Sequence, residues 1–261
     1  MLKMIFPTIV LLTLALSLCS CKPREVITDS PAGDTMVSLD NLSYPLKKSE
    51  DMGQEYIDSF VFLGESTTYH LKSRGVLTDG KDTTQVWGTK SGTLMLDIST
   101  YNCRIVYPET HEELDLGEAM RRKKPKYMLL TFGLNGATSS ISKGSEYFKS
   151  CYKRLISVLQ EASPDTVIIL QSCFPVAKSM DMSGFSVSVD TLNEYIDVIN
   201  GWTMNLAEEL SLGYLNTAEI LKNKNGALFE EYQSGDGYHL TREAYIKILD
   251  YIRTHGYKEE E

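Results

Sequence analysis

Three short stretches of the 261-residue chain hold the residue types that serine-based ester cleavage needs. The first is Gly64-Glu65-Ser66-Thr67-Thr68, which follows the apolar run Phe60-Val61-Phe62-Leu63. A glycine and a short polar segment after a strand let the chain turn sharply into a helix, with Ser66 at its N-terminus. There a hydroxyl is presented at the sheet edge, and the serine's own N–H points toward any oxyanion that forms, assisted by the helix dipole. Taken alone, such a serine is more commonly an N-cap. The second stretch, Phe132-Gly133-Leu134-Asn135-Gly136, ends an apolar run that starts at Tyr127. Its amide can donate to an oxyanion, although asparagine beside glycine usually supports a turn. The third is Gly235-Asp236-Gly237-Tyr238-His239-Leu240-Thr241, just before a final amphipathic segment with Thr241 as its N-cap. A carboxylate three residues before an imidazole can reach its Nδ1–H, fix its tautomer and stabilise the imidazolium. Nε2 is then free to accept a serine proton. An isolated Asp-x-x-His is a weak signal, and the weight lies in the order of the stretches and their placement at strand ends or loops beside them.

The elements that must position these residues are legible as periodicity. Phe60–Leu63, Tyr127–Phe132 and Thr166–Leu170 are continuous apolar runs of strand length, as strands covered on both faces require. Phe148, Cys151, Leu155, Val158 and Leu159 repeat at helical spacing. So do Leu192, Ile196, Ile199, Leu206 and Leu210, and then Tyr245, Ile248, Leu249 and Ile252. Alternating strand and helix predict a central parallel sheet in a three-layer α/β/α sandwich, with sites at the carboxyl ends of the strands. Leu94–Ile98 and Tyr214–Asn216 are read as two further strands.

Gly64-Glu65-Ser66, Gly133-Leu134-Asn135 and Asp236-Gly237-Tyr238-His239 resemble the successive blocks of SGNH (GDSL-type) esterases and lipases, over essentially the whole domain. The resemblance implies a flavodoxin-like SGNH hydrolase fold and a Ser-His-Asp mechanism through an acyl-enzyme, with no cofactor and no metal. It implies Ser66 as nucleophile, His239 as base, Asp236 as orienting acid, and Ser66 N–H with the Asn135 amide in the oxyanion hole. The glycine block of the family has no clear match here. Gly92 is taken as the remaining oxyanion donor and Gly88 as its alternative, with a backbone group near Tyr101-Asn102 also open. Glu65 stands where the family usually has Asp, a position with a structural role.

Competing arrangements lack support. There is no Gly-x-Ser-x-Gly elbow, and Ser140-x-x-Lys143 and Ser150-x-x-Lys153 lack the companion motifs of penicillin-binding proteins. His70 lies one helical turn after Ser66 and can line the pocket, though a solvated or capping imidazole is the commoner case. Trp202 and Phe174-Pro175 can shape a cleft, or belong to the core.

Composition narrows the partners. With 26 Lys and Arg against 35 Asp and Glu, the net charge of −9 argues against nucleic acid. The five cysteines form no CxxC pair or Cys/His cluster, which excludes a zinc framework; one disulfide among Cys103, Cys151 and Cys173 stays open. Residues 1–20 read as an export signal, with Lys3 before an apolar stretch from Ile5 to Leu18 that is short for a membrane span. Leu18-Cys19-Ser20-Cys21 resembles the bacterial lipobox, which implies lipidation of Cys21 and a membrane-anchored, extracytoplasmic protein. Residues 21–51 then form a flexible tether, 52–257 the catalytic domain and 258–261 a tail. The expected substrate is an acylated carbohydrate or other small ester, with acetyl as a typical acyl group. An O-acyltransferase using the same serine, or a non-catalytic surface-binding protein of the same fold, are the alternatives.

Overall fold

The computed structural model describes residues 44–258. The export signal, Cys21, the tether up to residue 43 and the last three residues lie outside the described residues.

In chain order the elements are α1 (Gly53–Asp58), β1 (Phe60–Gly64), α2 (Ser66–Ser73), β2 (Val86–Trp87), β3 (Arg104–Val106), β4 (Glu113–Asp115), α3 (Leu116–Lys123) and β5 (Tyr127–Thr131). They continue with α4 (Ala137–Lys143), α5 (Ser145–Ala162), β6 (Val167–Gln171), α6 (Val189–Glu209), β7 (Gly213–Leu215) and α7 (Arg242–Arg253). Five strands form one parallel sheet in the order β2-β1-β5-β6-β7. This is the expected α/β sandwich, and the order reverses between β1 and β5, the kind of crevice where open α/β sheets place their sites.

The strand runs look continuously apolar because both faces are covered. Val61, Leu63, Met128, Leu130, Ile168 and Leu170 pack with Phe148, Leu155, Ile196 and Leu206 of α5 and α6. Their neighbours Phe60, Phe62, Tyr127, Leu129 and Ile169 pack on the other face with Ile57, Leu71, Tyr245 and Ile248 of α1, α2 and α7. Each such side chain stabilises the fold by roughly 1.5–3 kcal/mol when fully buried. Thr241 caps α7 as expected, accepting from the Ala244 N–H.

The structure departs from the sequence reading in three places. Leu94–Ile98 is not a strand. Asp97 instead accepts from the backbone and hydroxyl of Ser99, and the Thr100 hydroxyl donates to the Met95 carbonyl, so local side-chain bonds replace a ladder. The sheet edge is supplied by the two-residue β2, and β3 pairs antiparallel with β4 away from the main sheet. Residues 44–51, assigned above to the tether, lie on the domain. Leu46 is buried and its N–H donates to the Tyr214 carbonyl, and the Ser49 N–H donates to Thr254. Cys103, Cys151 and Cys173 are all free thiols. Among the described residues, no helix is long and apolar enough to cross a membrane.

Candidate active site

Ser66 is the first residue of α2, at the carboxyl end of β1, where the first helical N–H groups have no intrahelical acceptor. His239 and Asp236 come from the loop between a short helical turn at Glu230–Tyr232 and α7. His239 Nε2 lies 2.9 Å from Ser66 Oγ, and His239 Nδ1 lies 2.6 Å from Asp236 Oδ2. The other Asp236 oxygen accepts the N–H groups of Tyr238 and His239 at 3.1 and 2.9 Å. Burial pushes the Asp236 carboxyl up, but these hydrogen bonds outweigh it and hold the group below the usual carboxylate range. It is therefore ionised and aimed at one imidazole nitrogen.

The loop is held by its neighbours. Gln233 Oε1 accepts the N–H groups of Gly235 and Gly237, and the Ser234 N–H donates to the His239 carbonyl. Gly237 has φ +86°, and its carbonyl accepts from Ala177 at 2.7 Å; a Cβ there would sit 2.5 Å from Met180 Cα. Only glycine fits that combination of backbone and contact. Two further bonds join α2 to this region: Arg74 Nε donates to the Leu240 carbonyl, and the Tyr245 hydroxyl donates to the Thr67 carbonyl.

Glu65 is buried beneath the site. Its Oε1 accepts the backbone N–H groups of Gly133 and Asn135 at 2.8 and 3.0 Å. Burial pushes its carboxyl up to about 7, and the hydrogen bonds from the 133–135 backbone oppose that rise. The expected structural role of this position is thus specific: it ties the turn carrying Ser66 to the turn carrying Asn135.

Asn135 stands at the end of β5, and its Nδ2 donates to Thr93 Oγ1 at 3.1 Å and to the Leu94 carbonyl at 3.2 Å. The amide is held by the 93–94 segment at the same sheet edge as Ser66. The expectation for Gly92 needs correction. Its N–H closes a turn onto the Thr89 carbonyl at 2.9 Å and is already used. A Cβ at Gly88 or Gly92 would lie 3.3 or 3.1 Å from the Tyr69 ring, so these glycines let the 88–92 segment rest on α2. Thr93, the residue after the turn glycine Gly92, carried no sequence signal for its contact with Asn135.

His70 is closer to the chemistry than its sequence position implied. Its ring stacks on His239 with centroids 4.2 Å apart, and its Nδ1 is buried with no hydrogen-bond partner among the described residues. Burial, then the adjacent His239 and Arg74, pull its pKa down to about 4, against a smaller upward pull from Asp236. Tyr238 also lies against His239, with ring centroids 4.1 Å apart. Phe174 belongs to the core and Trp202 packs against Phe148. A cavity of about 330 Å³ opens instead beside Asn135 and Tyr238, walled by Leu134, Ala137, Met180, Phe185 and Leu192. Among the described residues, no group of His, Cys, Asp and Glu is arranged to hold a metal ion.

Residues 62–246 match the model of the GDSL-like lipase/acylhydrolase family, a span that contains Ser66, Asn135, Asp236 and His239. No curated protein matches the sequence. Solved structures with a similar chain course include a GDSL-like lipase from Bacteroides thetaiotaomicron, 15% identical, covering 81% of this chain and 89% of that one, with a TM-score of 0.47. The periplasmic domain of a lipopolysaccharide acetyltransferase from Salmonella ser. Paratyphi A is 16% identical over 78% and 85% of the two chains, with a TM-score of 0.45. An acetyl-xylooligosaccharide esterase from Geobacillus is 14% identical over 76% and 94%, with a TM-score of 0.41. By its family match over most of its length, the chain belongs to the GDSL-like lipase/acylhydrolases, serine hydrolases that act on ester bonds.

Proposed function

We propose that the domain is an extracytoplasmic serine esterase working through Ser66, His239 and Asp236. The observation that carries this reading is the unbroken line of hydrogen bonds from Asp236 through His239 to Ser66, 2.6 and 2.9 Å long. His239 Nε2 takes the Ser66 proton as Oγ bonds to the ester carbonyl carbon. The oxyanion is met by the Ser66 N–H and by the Asn135 amide, one of whose hydrogens turns from the 93–94 segment. Asp236 steadies the imidazolium, which then protonates the alcohol oxygen as the carbon–oxygen bond breaks. Water, deprotonated by the same imidazole, attacks the acyl carbon, and Ser66 regains its proton as the acid departs. These steps use no cofactor.

The proposed substrate is an acylated carbohydrate, with acetyl as the smallest acyl group. Location supports it: residues 1–20 have the pattern of a lipoprotein leader, Cys21 stands where the lipid-bearing first residue of the mature chain would be, and the polar stretch that follows would hold the domain outside the membrane.

The test is hydrolysis of aryl and sugar esters by a soluble form beginning before Tyr44, so that the Leu46 contact is retained. Ser66→Ala and His239→Ala are each expected to lower kcat by at least about 10³-fold. Turnover that survives Ser66→Ala would refute the assignment. With a sugar acceptor present, an acylated sugar in place of free acid would make the enzyme a transferase.

A further inference from the structure

We infer that the cavity beside Asn135 and Tyr238 is an acyl-chain subsite, and that the preferred ester carries an unbranched acyl group of roughly eight to ten carbons instead of acetyl. This rests on the Ser66 esterase reading and names the acyl half of its substrate.

The cavity adjoins the proposed chemistry on two sides. One wall is the turn after β5, with Leu134 and Ala137 flanking Asn135. The other includes Tyr238, whose ring touches the His239 imidazole, and Met180, whose backbone packs against Gly237. An acyl group bound with its carbonyl oxygen at Asn135 therefore has this space directly available.

The lining selects alkyl over sugar. Among the described residues no charged side chain lines the cavity, and Leu134, Ala137, Met180, Phe185 and Leu192 make most of its wall. A sugar ring placed here would find only the Asn135 amide and the Thr138 and Tyr238 hydroxyls as polar neighbours, leaving most of its own hydroxyls against apolar side chains, a costly arrangement. An alkyl chain has no such groups, and each buried methylene contributes about 0.8 kcal/mol, or roughly fourfold in affinity. A methylene takes about the space of a water molecule, whose share of liquid volume is about 30 Å³. At that scale the cavity of about 330 Å³ receives an alkyl chain of up to roughly ten carbons and is far larger than a methyl group.

A second observation points the same way. Met95 and Phe185 are 50% and 47% exposed, unusually open for large apolar side chains. Phe185 lines the cavity, and Met95 lies against Gly136, another lining residue, with its sulfur 3.1 Å from where a Cβ would be. The apolar surface thus continues out of the cavity at its mouth. The more polar alcohol half is left to the side of the partly exposed Asp236.

The experiment is a kcat/KM series for acetyl to dodecanoyl esters of one alcohol, with the parent, Thr138→Trp and Phe185→Ala. Thr138 also lines the cavity, and tryptophan there would fill it. The parent is expected to gain about threefold to fourfold per methylene up to roughly eight to ten carbons and then level off. Thr138→Trp should lower the octanoyl-to-acetyl ratio at least tenfold, and Phe185→Ala should lower it less. A flat or acetyl-favouring series that still depends on Ser66 would overturn the subsite alone. As a measurement independent of turnover, Ser66→Ala should bind octanoate and not acetate by calorimetry; equal or absent binding of both would also overturn it. Octanoate binding by a protein that hydrolyses no ester would preserve the subsite and defeat the esterase reading.

Discussion

The imidazole of His70 lies face to face with that of His239, with ring centroids 4.2 Å apart and planes inclined by 28°. His70 is held neutral at ordinary pH because its pKa is pulled down to about 4. It therefore offers a ring face, with no competing charge, to an imidazole that becomes cationic during proposed catalysis. Replacement by Phe preserves that face and is expected to keep kcat within about threefold, whereas His70→Arg sets a fixed cation beside a forming one and should lower kcat by about tenfold or more. KM should change little in either case. Steady-state kinetics of the two variants check this, and equal losses would show that stacking and charge are both irrelevant.

Glu65 and His70 give stability opposite dependences on pH. The folded-state pKa of Glu65 is raised to about 7, so its contribution is full below the unfolded carboxylate value and is lost as pH rises through 7. The folded-state pKa of His70 is lowered to about 4, so its contribution is full above the unfolded histidine value and is lost as pH falls through 4. Between these limits the two trends offset. Glu65→Gln keeps an oxygen for the Gly133 and Asn135 N–H groups and removes the titration. Relative to the variant, the parent should lose stability on the order of 3 kcal/mol between pH 4.5 and 8. Urea unfolding of both proteins at pH 5, 6 and 8 measures the difference; parallel curves would contradict it.

Gly237→Ala should damage the site from inside its own loop. The added Cβ meets the Met180 backbone at a φ of +86°, so Asp236 and His239 must shift relative to each other. A cost of about 1–3 kcal/mol in stability and a fall in kcat of about 10²-fold are expected. Thermal unfolding and kinetics on one preparation would reveal whether both occur.

Gly201 is the opposite case. It lies inside α6 with nothing within 4 Å of a would-be Cβ. Gly201→Ala should stabilise the domain by about 0.5–1 kcal/mol through helix propensity and leave kcat unchanged. A lower unfolding midpoint would show that the space is needed.

Much of this architecture was readable because periodicity reports burial. Runs such as Tyr127–Leu130 and Val167–Leu170 are apolar at every position since helices cover both sheet faces, and the long helices carry one apolar stripe each. β2 escaped because two residues make no period, and Leu94–Ile98 misled because Leu94 and Leu96 are buried in a loop. Leu46 and the partly buried Tyr44 are isolated apolar anchors in a polar stretch, so their docking on the fold had no repeat to announce it.

By itself, the sequence determined the layer order, the placement of Ser66 and Asn135 at strand ends, and the local Asp236–His239 pair, which are consequences of neighbouring residues. Tertiary structure alone decided the contacts between groups far apart in the chain. Ser66 and His239 are 173 positions apart, and their 2.9 Å approach depends on α2 being tied to the last loop and helix by Arg74–Leu240 and Tyr245–Thr67. The Glu65 bridge to the Asn135 turn, the His70 stack and the apolar cavity are of the same kind. Periodicity says which face of an element is buried, but which side chain meets which across the sheet edge follows only when the packed elements fix their mutual distance and angle.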